Sequence, residues 1–306
     1  MSEAKVLGVI GLGSMGYGAA VSAMKRGVST FGLDSSAAAR ERFAAAGGQL
    51  AASLADLAAR CDVVQLLVVN AMQTEAVLFG RNDDEGGLAA TLRRGAVVIA
   101  SATVDPTLPP QWEARLAERG IHLIDGPVSG GAKKAAEGQM TVMASGSEAA
   151  FARAAPVLDA IAGKVYELGD AAGPGSTAKM VNQLLAGVHI AAAAEAMALG
   201  IRAGIDPDAL YEVISNSAGA SWMFQNRVPH ILEGDYTPLS SVNIFVKDLG
   251  IVLDAARKLA FPLPLAAAAH QLYLATAAAG HGNEDDAAVV KFYAALAGIE
   301  LPQKKA

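Results

Sequence analysis

Lys179 is the residue whose surroundings best suit it for proton transfer. It lies near the start of an Ala-rich, proline-free stretch from Ser176 to Ala203 that is typical of a long helix. Burial and the positive end of a helix both disfavour the ammonium form, so we expect a lowered pKa that allows proton transfer near neutral pH. Asn182 follows three residues later and would share a helix face with it. The alternative is a lysine at a domain edge that extends its ammonium group to water.

A glycine-rich segment near the start of the chain predicts a dinucleotide-binding turn. It follows the apolar run 6–10 and precedes a stretch with helical spacing that ends at Gly27. In such a turn the first glycine forms a tight bend, the second lets a pyrophosphate approach the backbone, and the third lets the helix pack on the strand. The N–H groups of the helix start then face the phosphates. The candidate cofactor contacts are Gly11, Leu12, Gly13, Ser14, Met15 and Gly16.

Asp34 indicates which dinucleotide would bind. It ends a second apolar segment, 28–33, at about the distance along the chain where an acidic side chain accepts hydrogen bonds from the ribose hydroxyls. Its carboxylate would repel the 2′-phosphate of NADP, and Ser35 and Ser36 follow it rather than an arginine. The sequence therefore predicts NAD as the cofactor. An N-cap of the next helix is the alternative role for Asp34, and the two roles are compatible.

Two further segments combine residues that suit ligand binding or ion pairing. Residues 125–131 read Asp-Gly-Pro-Val-Ser-Gly-Gly and follow an apolar run. The paired glycines expose backbone N–H groups and Ser129 adds a hydroxyl donor, so this loop could hold a carboxylate. An ordinary Pro/Gly turn before a helix is the alternative. Lys247 and Asp248 interrupt a later amphipathic helix, and such a pair is by itself most often a surface charge pair.

These segments need elements to position them, and the first half of the chain alternates short apolar runs with amphipathic stretches. Such alternation is typical of a parallel, doubly wound sheet. A further pair of strands around a helical segment is expected to extend that sheet. The predicted strands are 63–69, 96–100 and 121–124, followed by 140–144 and 164–168, and the predicted helices include 109–119 and 148–162.

The pattern changes near residues 169–175, after which helix-forming segments continue almost to the end. We therefore predict an α/β Rossmann-type doubly wound N-terminal domain (1–170) followed by an all-α C-terminal domain (171–306), linked by a long interdomain helix. Exposure of a helix that is apolar on most sides to water is unfavourable, so this helix should be buried between domains or packed against another subunit.

The composition limits the classes of function. The chain has 306 residues, of which 53% are hydrophobic and 18% charged, enough for two cores. A net charge of −6, without basic clusters interleaved with aromatics, argues against a nucleic-acid partner. The apolar stretch 184–199 contains His189 and Glu195, so we expect no membrane partner. A lone cysteine, Cys61, is expected in a core and suits the cytoplasm. The histidines are scattered, so no metal is expected.

Taken together, these motifs resemble the β-hydroxyacid dehydrogenase family, which includes 3-hydroxyisobutyrate dehydrogenase and tartronate semialdehyde reductase. Four segments match in order: 11–16, then 125–131 with 138–141, then 173–182, then 247–249. The resemblance implies hydride transfer to NAD with Lys179 as the catalytic residue. It also implies substrate contacts from Ser129, Gly130, Gly131, Asn182 and Asp248, and cofactor contacts from Thr103 and Lys247. Ala102 stands where the family usually has serine.

The resemblance further implies a small hydroxy acid as substrate, a substrate pocket at the domain interface, and a homodimer or homotetramer. Residues 221–227, with 234–238 and 261–264, resemble the branch that oxidises L-threonate, a four-carbon polyhydroxy acid. Polar residues that could pair with its hydroxyls, although caps and surface groups are the commoner roles, are Asn226, Arg227, Ser240 and Asn243. Alternatives are a member that acts on 3-hydroxyisobutyrate or tartronate semialdehyde and, more remotely, a module that binds NAD without catalysis.

Overall fold

The structure, a computed structural model, describes residues 5–80 and 86–304. It divides into two compact units, Met1–Lys179 and Met180–Ala306. The domain boundary that we predict at residue 170 stays a prediction.

The first unit is an α/β sheet structure. Within the described residues its strands are β1 (Val6–Ile10), β2 (Ser29–Leu33), β3 (Gln49–Leu50), β4 (Val63–Leu66), β5 (Val97–Ala100), β6 (His122–Asp125), β7 (Val128–Ser129), β8 (Met140–Gly146) and β9 (Ala162–Glu167). Its helices are α1 (Ser14–Lys25), α2 (Ala37–Ala45), α3 (Leu54–Arg60), α4 (Ala71–Phe79), α5 (Leu88–Thr91), α6 (Leu108–Ala117), α7 (Gly131–Ala136) and α8 (Glu148–Ile161).

The sheet has the order β3-β2-β1-β4-β5-β6-β8-β7, with β9 paired to β8. All pairs from β3 to β6 are parallel, so the carboxyl ends of these strands meet at one edge. The order reverses between β1 and β4, where doubly wound sheets bind ligands. The strand pair that we expect to extend the sheet does so, but β8 runs antiparallel to β6. The intervening chain folds as β7 and the six-residue helix α7, not as a long crossover helix.

Two apolar cores cover the two faces of this sheet. Successive side chains of a strand point to opposite faces, and the continuous apolar runs follow that rule. Val97 and Ile99 of β5 pack into one core with α1 and α8. Val98 and Ala100 of the same strand pack into the other core, with α3 and α6. The strands therefore read as unbroken hydrophobic runs because both of their faces are buried.

The second unit is helical. Its helices are α9 (Pro174–Arg202), which begins in the first unit, α10 (Pro207–Ser215), α11 (Trp222–Glu233), α12 (Val242–Lys258), α13 (Pro264–Thr276) and α14 (Val289–Ala297). Short turns at Ala277–His281 and Asp286–Ala288 connect the last two. A third apolar core contains residues such as Met197, Leu249 and Tyr273. The predicted fold class, a Rossmann-type sheet followed by helices, is confirmed.

Helix α9 is longer than the apolar stretch 184–199 from which we expect no membrane span. Its most apolar window has a mean hydropathy of 1.8, so by length and composition alone the helix could cross a membrane. Core helices of soluble proteins have the same composition, and 44% of that window is buried inside the structure. The property is therefore weak evidence for a membrane span.

Candidate active site

The glycine-rich turn between β1 and α1 is closely packed at its first and last glycines, Gly11 and Gly16, and has open space at the middle one, Gly13. Gly11 has a φ of +92°, and a Cβ there would lie 2.5 Å from the carbonyl oxygen of Leu67. A Cβ at Gly16 would lie 1.7 Å from the carbonyl oxygen of Gly11. At Gly13 a Cβ would meet no atom of the other described residues within 4 Å, apart from its own chain neighbours. Open space at the position where a pyrophosphate approaches the backbone fits a bound dinucleotide.

The start of α1 also suits an anionic ligand. Its N-cap residue is Gly13, which has no side chain to cap the helix, and the first turn contains no acidic residue. Uncapped N–H groups and the positive end of the helix dipole attract phosphate groups. The turn therefore fits the pyrophosphate of a dinucleotide in both shape and charge.

Asp34 organises the loops around this turn. One carboxylate oxygen accepts the N–H of Leu12 at 2.6 Å, and the other accepts the N–H of Ser36 at 2.7 Å. The N-cap of α2 is Ser36, whose hydroxyl accepts from Ala39, so the interpretation of Asp34 as that N-cap is wrong. Arg40 donates to the carbonyl oxygens of Asp34 and Ser35, at 2.7 and 3.0 Å. An arginine thus lies beside the predicted ribose contact, although none follows Asp34 directly in sequence.

The remaining predicted contacts of the first unit lie at the ends of strands, Thr103 after the parallel strand β5 and the others at the antiparallel strand β7. Thr103 lies just beyond β5, next to the buried Ala102. Ser129 ends β7 and pairs with Thr141 of β8. Gly130 and Gly131 have φ values of +120° and +71°, so this loop needs glycine at both positions.

Lys179 is buried, with 8% of its surface exposed. It lies in the second turn of α9, which begins at Pro174. A lysine is seldom buried to this extent without a role. Burial therefore agrees with the functional interpretation rather than with an ammonium group that extends to water.

The start of α9 is tied to the strands by Asp125, the first residue of the predicted substrate loop. Asp125 is 1% exposed. Its carboxylate accepts the N–H of Gly173 at 3.0 Å, the N–H of Ser176 at 2.7 Å and the hydroxyl of Ser176 at 2.6 Å. The hydroxyl of Ser145 lies 3.4 Å away. Burial raises the pKa of the Asp125 carboxyl, and these hydrogen bonds act in the opposite direction.

In the second unit the structure brings three predicted site residues together. Asn182 donates to the side-chain oxygen of Gln183 at 2.9 Å, and Gln183 donates to Asp248 at 2.6 Å. Lys247 donates to the other carboxylate oxygen of Asp248. Asp248 is 1% exposed, so the pair is not the surface charge pair that is usual for such a sequence. A chain of polar contacts therefore links α9 to α12.

The guanidinium of Arg227, a candidate contact for substrate hydroxyls, makes its contacts with acidic and amide side chains of the second unit. Its guanidinium is buried and pairs with Asp286, with the Nε to Oδ1 distance 2.5 Å, and also lies 3.9 Å from Asp285. It donates to the side chain of Asn226 as well. The coulombic attraction of Asp286 raises the pKa of Arg227 against the effect of burial. The guanidinium of Arg227 is thus held by contacts within the second unit, and the side-chain oxygen of Asn226 accepts from it.

Three residues with the contacts described above were not predicted from the sequence: Arg40, Gln183 and Ser176. Ser176 was within a matched motif, and a glycine just before a long helix could have indicated that the helix must find its cap elsewhere. Gln183 gave no such indication, because its partner is 65 residues away. The position of the Arg40 side chain depends on the direction in which the chain turns between β2 and α2, and the local sequence pattern does not specify that direction.

Two family models match most of the chain. Residues 6–169 match the family described as the NAD binding domain of 6-phosphogluconate dehydrogenase. Residues 173–293 match the family described as NAD-binding of NADP-dependent 3-hydroxyisobutyrate dehydrogenase.

Individual relatives are similar over nearly their full length. An L-threonate dehydrogenase of Cupriavidus necator is 61% identical, over 97% of this chain and 98% of its own. One of Pectobacterium atrosepticum is 53% identical, over 97% and 96%. The crystal structure of a 3-hydroxyisobutyrate dehydrogenase from Salmonella typhimurium has a TM-score of 0.88 at 50% identity, over 94% of this chain and 99% of that one. The similarity includes both units.

Proposed function

The chain belongs to the β-hydroxyacid dehydrogenase family, and from that premise we propose that it oxidises L-threonate with NAD to the 2-oxo acid 2-dehydro-L-erythronate. It is an NAD-dependent dehydrogenase, and its substrate is a small hydroxy acid. The observation that carries the choice of L-threonate is the 61% identity to the Cupriavidus necator enzyme across almost all of both chains.

Bound NAD supplies the acceptor for the hydride that leaves the oxidised carbon. Its pyrophosphate would be held by the N–H groups at the start of α1 and by the backbone around Gly13. Asp34 would accept hydrogen bonds from its ribose. Lys179 hydrogen-bonds the hydroxyl that is oxidised and takes its proton, which requires the amine in its neutral form at that moment. Ser129, Gly130 and Gly131 hold the substrate carboxylate.

Asn182 orients the substrate, and its contact with Gln183 supports this role by limiting the rotation of its amide. We propose Asp248 as a substrate contact, Lys247 as a cofactor contact and Thr103 as a nicotinamide contact. The carboxylate of Asp248 also holds Gln183 and Lys247 in place through its two oxygens.

We also propose a cytoplasmic homodimer or homotetramer with no membrane or nucleic-acid partner. Support comes from apolar side chains exposed on α9, where Val181 is 50%, Leu185 49% and Leu199 70% exposed in the single chain. Light scattering during size-exclusion chromatography would measure the mass in solution, and a monomer would contradict this assembly.

The substrate is tested with a panel of acids at equal concentration, with NADH formation followed by absorbance. The panel contains L-threonate, D-threonate, D-erythronate, D-glycerate and 3-hydroxyisobutyrate. A site that pairs with substrate hydroxyls leaves its own polar groups unpaired when an analogue lacks them, so we expect the highest kcat/KM for L-threonate and the lowest for 3-hydroxyisobutyrate.

A kcat/KM for 3-hydroxyisobutyrate equal to or above that for L-threonate would overturn the choice of substrate but not the family. In that case 3-hydroxyisobutyrate, the substrate in the name of the Salmonella typhimurium relative, would be the better choice for this chain. Turnover of none of these acids by protein that binds NAD would favour the non-catalytic module instead.

A further inference from the structure

We propose that Asp125 is a positioning residue for Lys179, because it acts as a remote N-cap of helix α9. The inference rests on the proposed function, since the placement of Lys179 matters for turnover only if Lys179 is catalytic. Asp125 itself is assigned no contact with substrate or cofactor.

The start of α9 lacks a cap from its own sequence. Gly173 precedes the first helical residue, Pro174, and its carbonyl oxygen accepts the N–H of Thr177 at 2.9 Å, as that of an N-cap residue does. A usual N-cap side chain then accepts the N–H of the third helical residue, but glycine has none. The third residue is Ser176, and its N–H binds Asp125 at 2.7 Å across 51 residues of sequence.

The backbone of this helix start lies in close contact with the sheet. A Cβ at Gly175 would lie 2.4 Å from the carbonyl oxygen of Asp125 and 2.6 Å from that of Met143. The N–H of Gly175 also donates to the hydroxyl of Ser145 at 3.0 Å. The first turn of α9 thus lies directly on the strands β6 and β8, close enough for side chains of these strands to bind its N–H groups.

The cap at Asp125 differs from most others in the chain. Serine hydroxyls cap α2, α3, α8 and α11, at Ser36, Ser53, Ser147 and Ser221. At α9 the cap is a buried carboxylate, which costs desolvation that a serine would not. In return a carboxylate forms stronger, charge-assisted hydrogen bonds and opposes the positive end of the helix dipole.

Lys179 lies three residues beyond Ser176, about 4.5 Å along the axis and less than one turn of helix. A segment this short transmits a shift of Ser176 to the backbone of Lys179. Misplacement of a reacting group by about 1 Å can lower a rate by about 100-fold. The hydrogen bonds of Asp125 therefore determine the position of the Lys179 backbone, from which the side chain and its amine extend.

The test is a double-mutant cycle of Asp125→Asn and Lys179→Ala with L-threonate and NAD. Asn keeps the shape but removes the charge and one of the acceptor oxygens. We expect Asp125→Asn to lower kcat by about 10- to 100-fold and to leave the Kd of NAD within twofold. In the Lys179→Ala background the same change should lower kcat by less than about twofold, because the group that it positions is already gone.

The matched control is Asp206→Asn, because Asp206 caps α10 through the N–H of Ala209 at 2.9 Å and is no proposed site residue. It should change kcat less than about twofold. If the Asp125→Asn variant does not fold, Ser176→Ala replaces it in the double-mutant cycle, because this change removes one hydrogen bond to the same carboxylate.

The outcomes separate the two proposals. If Lys179→Ala lowers turnover and Asp125→Asn does not, or if the loss from Asp125→Asn is undiminished in the Lys179→Ala background, Asp125 is no positioning residue. If the wild-type protein turns over none of the acids, or Lys179→Ala turns over as fast as wild type, the proposed function fails and the inference falls with it.

Discussion

The carboxylate of Asp34 accepts the backbone N–H of Leu12 at 2.6 Å, and this contact joins the end of β2 to the middle of the glycine-rich turn. The carbonyl oxygen of Leu12 accepts from Arg42 at 2.7 Å. Leu12 is therefore held on both sides of its peptide backbone, between the two glycines that shape the turn. Asp34 thus has a structural function in addition to the ribose contact that we propose for it.

We expect Asp34→Asn to lower the preference for NAD over NADP by about tenfold or more, which corresponds to about 1.4 kcal/mol. The amide no longer repels a 2′-phosphate, and Arg40 already donates to the carbonyl oxygens of Asp34 and Ser35. An arginine at this place can accommodate that phosphate. The measurement is kcat/KM with each cofactor.

Adding Arg40→Ala to Asp34→Asn should abolish the gained use of NADP. Arg60→Ala is the matched control, because Arg60 pairs with Asp56 on α3 and is no proposed cofactor contact. Faster turnover of the wild-type enzyme with NADP than with NAD would contradict our interpretation of Asp34.

Gly13→Ala should weaken NAD binding by about tenfold or more, about 1.4 kcal/mol, while the protein stays folded. Apart from its own chain neighbours, no described residue has an atom within 4 Å of the added methyl group, so the clash would be with the cofactor. A weaker N-cap costs about 0.5–1 kcal/mol, and the stiffer unfolded chain offsets a similar amount. Calorimetry gives both the Kd of NAD and the Tm.

Gly219→Ala serves as its control, since the nearest atom to that Cβ is a methyl carbon of Ile214 at 4.0 Å. It should leave NAD binding unchanged. Equal NAD affinity in Gly13→Ala and wild type would show that the pyrophosphate does not approach the turn at this glycine.

The parts of the site that the sequence predicted correctly are local ones. The glycine-rich turn is specified within about a dozen residues, where a strand, a turn and a helix follow one another. Continuous apolar runs predicted strands because both faces of the sheet are buried. Cys61, which was predicted to lie in a core, is buried.

The parts that were missed depend on contacts between distant residues. Asp125 meets Ser176 across 51 residues, and Gln183 meets Asp248 across 65. Periodicity describes which face of an element is apolar, but it does not indicate which polar group lies opposite another. The direction of β8 was missed likewise, because a strand pattern is the same in parallel and antiparallel pairs.

Lys179→Ala should lower kcat by about 10²- to 10⁴-fold, the range for a positioned acid–base group. The Kd of NAD should stay nearly unchanged, because Lys179 is not part of the phosphate turn. Lys179→Arg should also lose turnover, since a guanidinium stays protonated and cannot accept the proton. Lys164→Ala, at an exposed lysine of β9, is the control. Activity within a few-fold of wild type would contradict the catalytic role of Lys179.

Cys61 should not react with iodoacetamide in the folded protein. Burial raises the pKa of its thiol to about 12, so the group stays protonated as the pH rises through 8, and only about one thiol in 10⁴ is ionised there. Mass spectrometry should find no alkylation of native protein at pH 8 and complete alkylation in guanidinium. Rapid native labelling would show that the thiol is accessible and ionised.

Arg227→Met should lower the free energy of unfolding by about 3–5 kcal/mol, because it leaves two buried carboxylates without their cation. Asp285 and Asp286 are both fully buried, and the guanidinium lies 2.5 Å from Asp286. Denaturant unfolding measures the loss, and adding Asp286→Asn should restore part of it.

The control for Arg227 is Arg257→Met, which breaks a pair whose side chains are 78% and 61% exposed and should cost under about 1 kcal/mol. Turnover distinguishes a structural from a substrate-binding role. Because the guanidinium is occupied by Asp286 and Asn226, folded Arg227→Met should keep the wild-type KM for L-threonate. A KM raised about tenfold or more with unchanged stability would instead place Arg227 at the substrate, as its polarity suggested in the sequence.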